Sequence, residues 1–258
     1  MKAMILSAGM GTRLGSLTQA VPKGMLDIAG HPILGWVVAN LVRQEIRDLV
    51  MNLHYCPECI TGHFADGEDY GARIRYSREA ELQGTAGGVR DAAALLRDGS
   101  DFLVHYGDIV TDQEFGPMIE QHRRTGALAT LLLHQREGSN SVVAMAEEGQ
   151  ITGFLERPDE AQRRNLKGSW VNSGICICAD ELFDHLPTTG LADLPRDIFA
   201  PLVESRRIYG FPLTGYRCAV DSPARLEAVR AAAAARELAF HPADHTMSPS
   251  LRRSKARP

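Results

Sequence analysis

Two glycines and two cations follow a short apolar segment at the amino terminus. Gly9 and Gly11 come shortly after residues 2–6, and Arg13 and then Lys23 follow them. Because glycine lacks a Cβ, the backbone there can take positive φ and approach a ligand closely. Backbone N–H groups in such a turn form a concave anion site, and both arginine and lysine bind phosphate. We therefore expect this segment to bind a polyphosphate.

Two common phosphate loops do not fit this turn. The dinucleotide fingerprint requires glycine three residues after Gly11, where Leu14 stands. The Walker loop requires Gly-Lys-Ser/Thr, whereas the order here is Lys23-Gly24-Met25. On spacing alone, an ordinary strand-to-helix turn with a surface arginine stays open as the alternative.

Asp108 follows Gly107 at the end of the apolar residues 102–106. A carboxylate at the carboxyl end of a parallel strand lies where open α/β sheets bind ligands. The alternative is that Asp108 only caps the next segment. Asp112, close behind it, is expected to be a helix cap.

Asp221 follows a second apolar segment at 216–220 and precedes Ser222 and Pro223. Pro223 suits the first turn of a helix. On the residues alone, Asp221 is a candidate N-cap of that helix.

The order of apolar segments indicates alternating strands and helices as far as residue 134. This order is typical of a mainly parallel sheet with crossover helices. Beyond residue 134 the strands become shorter and more polar, so we expect antiparallel extensions there. The predicted strands are 2–6, 49–53, 73–76, 102–106, 127–134, 141–146, 150–155, 169–178, 207–212 and 216–220, and the predicted helices are 33–44, 57–64, 84–96, 115–126, 180–185, 195–204 and 223–235.

The composition is that of an ordinary globular protein. The chain has 258 residues, of which 44% are hydrophobic and 23% charged, and its formal net charge is −4. This length suffices for one sizeable α/β domain, and the small net charge favours neither a nucleic acid nor an acidic membrane as partner. The sequence shows no secretory signal and no membrane span, which predicts a cytoplasmic protein. From residue 241 it is rich in proline, serine and arginine, which predicts a disordered tail.

Cys56 and Cys59 have the spacing of half a zinc site or of a redox pair. A structural zinc site needs four ligands, and Cys176 and Cys178 alternate along a predicted strand, so they do not form a second such pair. With Cys218 the number of cysteines is odd. We expect reduced thiols, and for Cys56 and Cys59 two small side chains in a short helix, with a metal or redox role as the alternative.

The glycine turn is part of a longer string of fixed spacings. The string reads Ser-Ala-Gly-Met-Gly-Thr-Arg-Leu from Ser7, continues through Pro22 and Lys23, and ends at Pro32 and Ile33. It resembles the N-terminal motif of the sugar-1-phosphate nucleotidyltransferases (NDP-sugar pyrophosphorylases). Within that family, the chain looks nearest to the mannose- and heptose-1-phosphate guanylyltransferases.

Four further segments resemble motifs of this family, in the family's order. They are Gln83-Gly84-Thr85-Ala86-Gly87-Gly88, His105-Tyr106-Gly107-Asp108, Glu156-Arg157-Pro158 with Asn172-Ser173-Gly174, and Asp221-Ser222-Pro223. Two positions depart from the usual pattern. Members usually have lysine where Arg157 stands, and a Gly-Thr pair is contracted to Ser222.

The resemblance implies a Rossmann-like, mainly parallel sheet flanked by helices with an antiparallel extension, the glycosyltransferase-A-like nucleotidyltransferase fold. It implies one nucleotidyltransferase domain over residues 1–240, followed by the predicted tail at 241–258. Many members carry a hexapeptide β-helix after the catalytic part, and no such repeat is visible in this sequence.

The resemblance also implies a role for each candidate site residue. Arg13 and Lys23 would be catalytic, and Asp108 and Asp221 would hold Mg²⁺. The residues against the nucleotide would be Ala8, Gly9, Gly11, Thr12, Gln83, Gly84 and Thr85. The residues against the sugar phosphate would be Glu156, Arg157, Asn172 and Gly174.

The implied reaction joins an NTP, with GTP favoured, to a sugar 1-phosphate and gives an NDP-sugar and pyrophosphate. The expected partners are these two substrates, and neither a nucleic acid nor a membrane is expected. The oligomeric state stays open, and a homo-oligomer is one possibility. Two alternatives remain. One is a cytidylyltransferase acting on phosphocholine or a phosphonate, and the other is a non-catalytic nucleotide-binding regulatory module.

Overall fold

The computed structural model of the chain describes residues 1–136, 139–166 and 168–245. The chain forms two compact units, which we describe separately. Unit 1 contains Met1–Leu82, His105–Gln113 and the chain from Gly215 onward, and unit 2 contains Gln83–Val104 and Glu114–Thr214. A single domain over residues 1–240 stays a prediction.

Strands and helices alternate in the first half of the chain, as predicted. The strands are β1 (Lys2–Leu6), β2 (Asp27–Ile28), β3 (His31–Pro32), β4 (Asp48–Leu53), β5 (Arg73–Arg78), β6 (Phe102–Tyr106), β7 (Ile109–Thr111), β8 (Ala129–Gln135), β9 (Ser141–Met145), β10 (Ile151–Glu156), β11 (Trp170–Cys178), β12 (Ile208–Pro212) and β13 (Arg217–Ala219). The α-helices are α1 (Ile33–Arg43), α2 (Pro57–Phe64), α3 (Gly84–Asp91), α4 (Ala93–Leu96), α5 (Gly116–Thr125), α6 (Glu160–Asn165), α7 (Ala200–Leu202), α8 (Pro223–Ala234) and α9 (Pro242–His245). Within the described ranges, no helix is long and apolar enough to cross a membrane.

The parallel strands β1, β4 and β5 form the sheet of unit 1. Strand β4 lies in the middle, with Asp48 opposite Lys2 on one side and opposite Arg73 on the other. The three central residues of β1 are fully buried, as are nearly all residues of α1. Because parallel strands point the same way, the residues that follow β1 and β4 emerge at one edge of the sheet.

The last described segment of the chain packs against α1 in unit 1. Leu238 and Phe240 are buried, and the Phe240 ring lies 5.6 Å from that of Trp36. The His241 ring lies 5.0 Å from Trp36, and α9 follows it. The rest of the predicted tail, residues 246–258, lies outside the described residues, and its disorder stays a prediction.

Unit 2 is built mainly from antiparallel strands. Strand β11 pairs with β8 and β9, and β9 pairs with β10, all antiparallel. Strand β12 adds to β8 in parallel. The parallel strands of unit 1 and the antiparallel strands of unit 2 together confirm the predicted class, a mixed α/β fold with a mainly parallel sheet flanked by helices and an antiparallel extension.

Two of the differences between the structure and the predicted elements involve residues 160–165 and 194–205. Helix α6 lies between the predicted strands 150–155 and 169–178, where no helix was predicted, and a reciprocal capping box between Asp159 and Gln162 begins it. The predicted helix 195–204 is instead a π-helical turn (Leu194–Phe199), α7 and a 3₁₀ turn (Val203–Ser205). Pro201 lacks the N–H that a regular helix would use there, so the helical pattern is interrupted.

His105, at the end of β6, is fully buried in unit 1. Burial lowers the pKa of its side chain to about 4, against the smaller raising effects of the Tyr106 carbonyl and the Asp108 carboxylate. In the unfolded chain the imidazole titrates near ~6.5. Between these values the unfolded state binds a proton that the folded state does not, so the free energy of unfolding falls as pH falls.

We expect the free energy of unfolding to decrease by roughly 2 kcal/mol from His105 alone between about pH 7 and about pH 5. Urea unfolding at the two pH values measures this change. The variant His105→Phe lacks the titrating group and should show a smaller decrease than the unmodified protein. Equal decreases in the two proteins would contradict this assignment.

Candidate active site

Of the two glycines predicted to shape the turn after β1, Gly9 and Gly11, the structure requires glycine only at Gly11. Gly11 has φ +67°, and a Cβ there would meet Lys23 Cβ at 2.9 Å. Gly9 differs from the expectation: its φ is not positive, and a Cβ there would meet nothing within 4 Å. Gly11 is therefore required by its own conformation and by the stem of Lys23, while Gly9 leaves open space beside the turn.

Hydrogen bonds at its start and within it hold the turn in place. At its start, the Ser7 N–H donates to Asn52 Oδ1 (2.7 Å) and the Ser7 hydroxyl to the Asn52 carbonyl (2.6 Å). Further on, the Thr18 hydroxyl donates to the Gly11 carbonyl (3.1 Å). Sequence reasoning missed Asn52, which lies in β4 and carries no motif.

The first predicted nucleotide contacts lie in this turn. Ala8 is buried, while Gly9 and Thr12 are exposed. A 3₁₀ helix begins at Thr12 and ends at Thr18. The turn thus exposes backbone around Gly9 while Ala8 anchors its first half in unit 1.

Lys23 and Asp108 form an ion pair in unit 1. Their side chains are only 15% and 23% exposed, respectively. Asp108 comes close because the Gly107 N–H donates to the Leu6 carbonyl (2.9 Å), where a Cβ on Gly107 would lie 2.9 Å from the same oxygen. Gly107 therefore allows the backbone before Asp108 to lie against the end of β1.

Asp221 lies in the same unit, and the structure excludes its role as a helix cap. Ser222 is the N-cap of α8, and its hydroxyl accepts from the Arg225 N–H, with Pro223 next in the chain. Arg13 Nη1 lies 3.8 Å from Asp221 Oδ2, and Arg225 Nε lies 3.5 Å from Asp221 Oδ1. The Asp221 carboxylate is therefore available to charged partners, and Arg225 is a partner that sequence reasoning missed.

The two predicted metal ligands come from neighbouring backbone segments. The Val220 N–H donates to the Asp108 carbonyl (2.8 Å), so Asp221 directly follows a residue bonded to Asp108. Two carboxylates with phosphate oxygens are a donor set that suits Mg²⁺. The residues present fit the ion, and both carboxylates lie beside basic side chains.

Asp112 is not a helix cap, contrary to the sequence prediction. Its carboxylate accepts from the Tyr216 N–H (2.6 Å) and from the Ala239 N–H (2.9 Å). It joins two distant segments of unit 1, whereas helix α5 begins after Phe115. Its role is structural.

In unit 2, the start of α3 is hydrogen-bonded to the chain itself. The Ala86 and Gly87 N–H groups donate to the Ala192 carbonyl at 2.8 and 3.2 Å. Gly84 has φ +74° and lies so close that a Cβ would meet this carbonyl oxygen at 2.4 Å. These two N–H groups are therefore already paired within unit 2 and are not free to bind a ligand.

Asp193 organises the same region and was missed from the sequence. Its Oδ1 accepts from the Thr85 N–H (3.2 Å) and hydroxyl (3.3 Å), and the Thr85 hydroxyl accepts from the Leu194 N–H (2.7 Å). The Gln83 side chain is held as well, since Arg90 donates to its Oε1 (3.1 Å). Only the unusual Asp-Leu-Pro sequence before a helical turn could have indicated Asp193.

Glu156 lies half-buried at the end of β10. Burial raises the pKa of its carboxyl group, Arg157 opposes this shift, and Asp193 adds to it. Arg157 itself is exposed and has φ +50°. The structure thus places Glu156 and Arg157 next to each other, with the Glu156 carboxylate in the field of Asp193.

Asn172 and Gly174 lie on β11 of unit 2. The Asn172 N–H donates to the Ser141 hydroxyl (2.9 Å), and Asn172 Oδ1 accepts from the Gly174 N–H (3.1 Å), which orients the side-chain amide. Ser141 also lines a cavity of about 660 Å³, together with Trp170 and Arg163. Ser141 is opposite Glu156 in the pairing of β9 with β10, so the predicted sugar contacts share one end of these strands.

Cys56 and Cys59 differ from the expectation of reduced thiols. The structure joins them in a disulfide across the first turn of α2, with their Cα atoms 5.6 Å apart. Cys176, Cys178 and Cys218 are free, as expected. The spacing allows the bond because residues three apart lie on one face of a helical turn.

Comparisons with solved structures show the fold. A protein from Bacillus anthracis, assigned as a glucose-1-phosphate thymidylyltransferase and solved with sucrose, is 19% identical with a TM-score of 0.80, covering 93% of this chain and 97% of that one. HddC from Yersinia pseudotuberculosis, solved with GMP-PN, is 20% identical with a TM-score of 0.71, covering 89% of this chain and 98% of that one.

Sequence comparisons find relatives of greater length. A UTP–glucose-1-phosphate uridylyltransferase from Synechocystis is 31% identical over 80% of this chain and 56% of its own length. The catalytic subunit beta of a mannose-1-phosphate guanylyltransferase from Xenopus tropicalis is 31% identical over 86% of this chain and 62% of its own length. The chain therefore spans less than two thirds of the curated relatives that it matches.

A family-wide sequence profile covers most of the chain, including the glycine turn and all predicted site residues except Asp221. The match runs over residues 2–216, and the family is described as nucleotidyl transferase. The protein therefore belongs to the nucleotidyl transferase family.

Proposed function

We propose that this protein is a cytoplasmic enzyme that transfers a nucleotidyl group from an NTP to a sugar 1-phosphate and releases pyrophosphate. The observation that supports this most is the charge cluster beside the glycine turn. Lys23 pairs with Asp108, and Arg13 and Arg225 lie beside Asp221. Three cations against two carboxylates leave a positive site, which suits a polyphosphate.

In the proposed reaction, a phosphate oxygen of the sugar 1-phosphate attacks the α-phosphorus of the NTP. The bond from the α-phosphorus to the bridging oxygen breaks, and pyrophosphate leaves with that oxygen. The attacking phosphate is already an anion at neutral pH, so no side chain has to remove a proton. Catalysis then depends on positioning and on stabilising charge.

The residues of unit 1 would bind the reacting phosphates. Lys23 would bind the α-phosphate and the incoming sugar phosphate, and Arg13 would neutralise charge on the departing pyrophosphate. Asp108 and Asp221 would hold Mg²⁺, which when bound neutralises phosphate charge. Lys23 and Arg13 are already paired with these carboxylates, so little rearrangement is needed to place cations and metal ligands together.

The residues of unit 2 would bind the rest of the substrates. Gln83, Gly84 and Thr85 would contact the nucleotide base, and Glu156 and Asn172 the sugar hydroxyls. Arg157 would bind the sugar phosphate with a planar guanidinium in place of the usual lysine. The names of the relatives, each a transferase acting on a hexose 1-phosphate, support this class of acceptor.

An assay of pyrophosphate release with Mg²⁺, NTPs and sugar 1-phosphates tests the proposal. Release that requires both substrates would support it. Release with phosphocholine or a phosphonate alone would favour a cytidylyltransferase instead. Binding of nucleotides without release from any acceptor would favour a regulatory module.

The variant Asp108→Asn should lower kcat by about a thousandfold, because it removes a charge that holds the metal and orients Lys23. Steady-state kinetics with Mg²⁺ measure the effect. Asp112→Asn is the matched control, since it changes the same residue type in unit 1 at a structural position. It should lower the melting temperature and leave kcat near that of the unmodified protein.

An Asp108→Asn protein of normal activity would refute the metal assignment. Asp221→Asn should behave like Asp108→Asn, and Ser222→Ala is its control. Loss of the Ser222 cap should cost about 1 kcal/mol of stability without lowering kcat. If Asp221→Asn lowered only the melting temperature, its proposed role would be wrong.

The variant Arg13→Ala should lower kcat roughly a hundredfold and weaken NTP binding much less, because its proposed partner is charge that develops as pyrophosphate leaves. Its side chain is 69% exposed, so its loss should leave the fold intact. Kinetics and nucleotide titration together separate the two effects. The control is Arg47→Ala, because Arg47 is another exposed arginine of unit 1, and it should change neither kcat nor the affinity for the NTP. If Arg13→Ala raised only the KM, Arg13 would bind the substrate in the ground state and its proposed role would be wrong.

Among nucleotides, we expect GTP to give the highest kcat/KM. Several relatives are mannose-1-phosphate guanylyltransferases, and one solved relative holds GMP-PN. Each buried polar group left unpaired by a wrong base costs roughly 1–3 kcal/mol, or about tenfold to a hundredfold in kcat/KM. GTP, ATP, CTP, UTP and dTTP should be compared with mannose 1-phosphate and a heptose 1-phosphate, and a tenfold preference for a pyrimidine nucleotide would refute the GTP assignment.

A further inference from the structure

The disulfide between Cys56 and Cys59 lies at the amino-terminal end of α2 and within reach of solvent. Cys56 is the residue before the helix, Pro57 begins it, and the Cys59 N–H donates to the Cys56 carbonyl (3.1 Å). Both cysteines are half-buried. The start of a helix favours a thiolate over a thiol, and the thiolate is the form that attacks disulfides.

The segment before Cys56 holds the glycine turn at both of its ends. Asn52 binds the Ser7 N–H and hydroxyl at the start of the turn. The Tyr55 hydroxyl donates to the Gln19 carbonyl (2.8 Å) at its end. Gly11 and Arg13 lie between these two contacts, so Asn52 and Tyr55 restrain both ends of the segment that contains them.

The backbone conformation of Cys56 connects the disulfide to this segment. Cys56 has φ +46°, in the left-handed region that residues other than glycine rarely adopt. The bond to Cys59 restrains it there. Opening of the bond would remove this restraint on Cys56, and a change of its backbone would displace its chain neighbour Tyr55, which donates to Gln19.

We propose that Cys56 and Cys59 form a dithiol–disulfide exchange site whose oxidation state controls the order of the glycine turn. The exchange partners are low-molecular-weight thiols and disulfides. The Cys56 thiolate attacks a disulfide RSSR, forms a mixed disulfide and releases one thiolate. The Cys59 thiolate then displaces the second, so that two thiols of the protein are oxidised and one RSSR is reduced to two RSH.

Exchange is tested on the full chain in glutathione buffers of varied ratio, followed by rapid alkylation and mass spectrometry. We expect reversible conversion between dithiol and disulfide. The variant Cys59→Ser should retain a mixed disulfide with glutathione on Cys56, and Cys56→Ser/Cys59→Ser should carry none at this pair. Cys218→Ser, which removes a half-buried cysteine outside the pair, should behave like the unmodified protein. A pair that stays reduced throughout, or that binds zinc stoichiometrically, would overturn the proposal.

The effect on the turn is measured by hydrogen exchange, which does not depend on enzyme activity. Residues 7–19 should exchange faster in the reduced protein, because local opening becomes easier. In Tyr55→Phe the oxidised and reduced proteins should exchange these residues at equal rates. In the active enzyme, reduction should raise the KM for the NTP about fivefold, the equivalent of one lost hydrogen bond. Equal exchange rates in oxidised and reduced unmodified protein would refute control of the turn, whatever the outcome of the pyrophosphate assay.

Discussion

The ion pair between Lys23 and Asp108 is the interaction on which the proposed active site depends most. It requires two close approaches of backbone that only glycine permits. Gly11 lies against the stem of Lys23, and Gly107 lies against the carbonyl that ends β1. A Cβ at either position would come within 2.9 Å of its neighbour, so a larger residue would move one partner of the pair. Because both charges are mostly buried, separating them would leave at least one without compensation.

Unit 1 holds a second group of charged side chains, formed by Asp221, Arg13 and Arg225. Asp221 faces Arg13 and Arg225, and Ser222 takes over the capping of α8. Because Ser222 caps the helix, the carboxylate of Asp221 is not used as a cap and lies outside α8. A helix cap would have fixed its oxygens on backbone N–H groups, whereas here they lie beside the side chains of Arg13 and Arg225. In the proposed site, a metal ion would take the place of these side chains. The motif Asp221-Ser222-Pro223 is shorter than the usual family pattern, and its aspartate still has a carboxylate that is not used as a helix cap.

Sequence reasoning predicted the features that local pattern determines and missed those that depend on distant residues. The strands β1 and β4 and the helix α1 follow from apolar periodicity. The charge cluster of unit 1 contains four of the six charged residues that the motifs indicated, and the other two, Glu156 and Arg157, lie in unit 2. Asp193 was missed because its partner Thr85 lies 108 residues away. The conformation of Cys56, and with it the disulfide, could not be read from spacing, since the same spacing also suits two reduced thiols in a helix.

Asp193 also shows that the two predicted binding segments of unit 2 are not independent. One oxygen of its carboxylate holds Thr85 through two hydrogen bonds, and its charge contributes to the raised pKa of Glu156. The backbone N–H groups of Ala86 and Gly87 are already bonded to the neighbouring Ala192. In the proposed site, these two N–H groups would therefore be unavailable to a nucleotide at this helix start. The position of Thr85 and the protonation of Glu156, a predicted sugar contact, then depend on the same segment around Asp193.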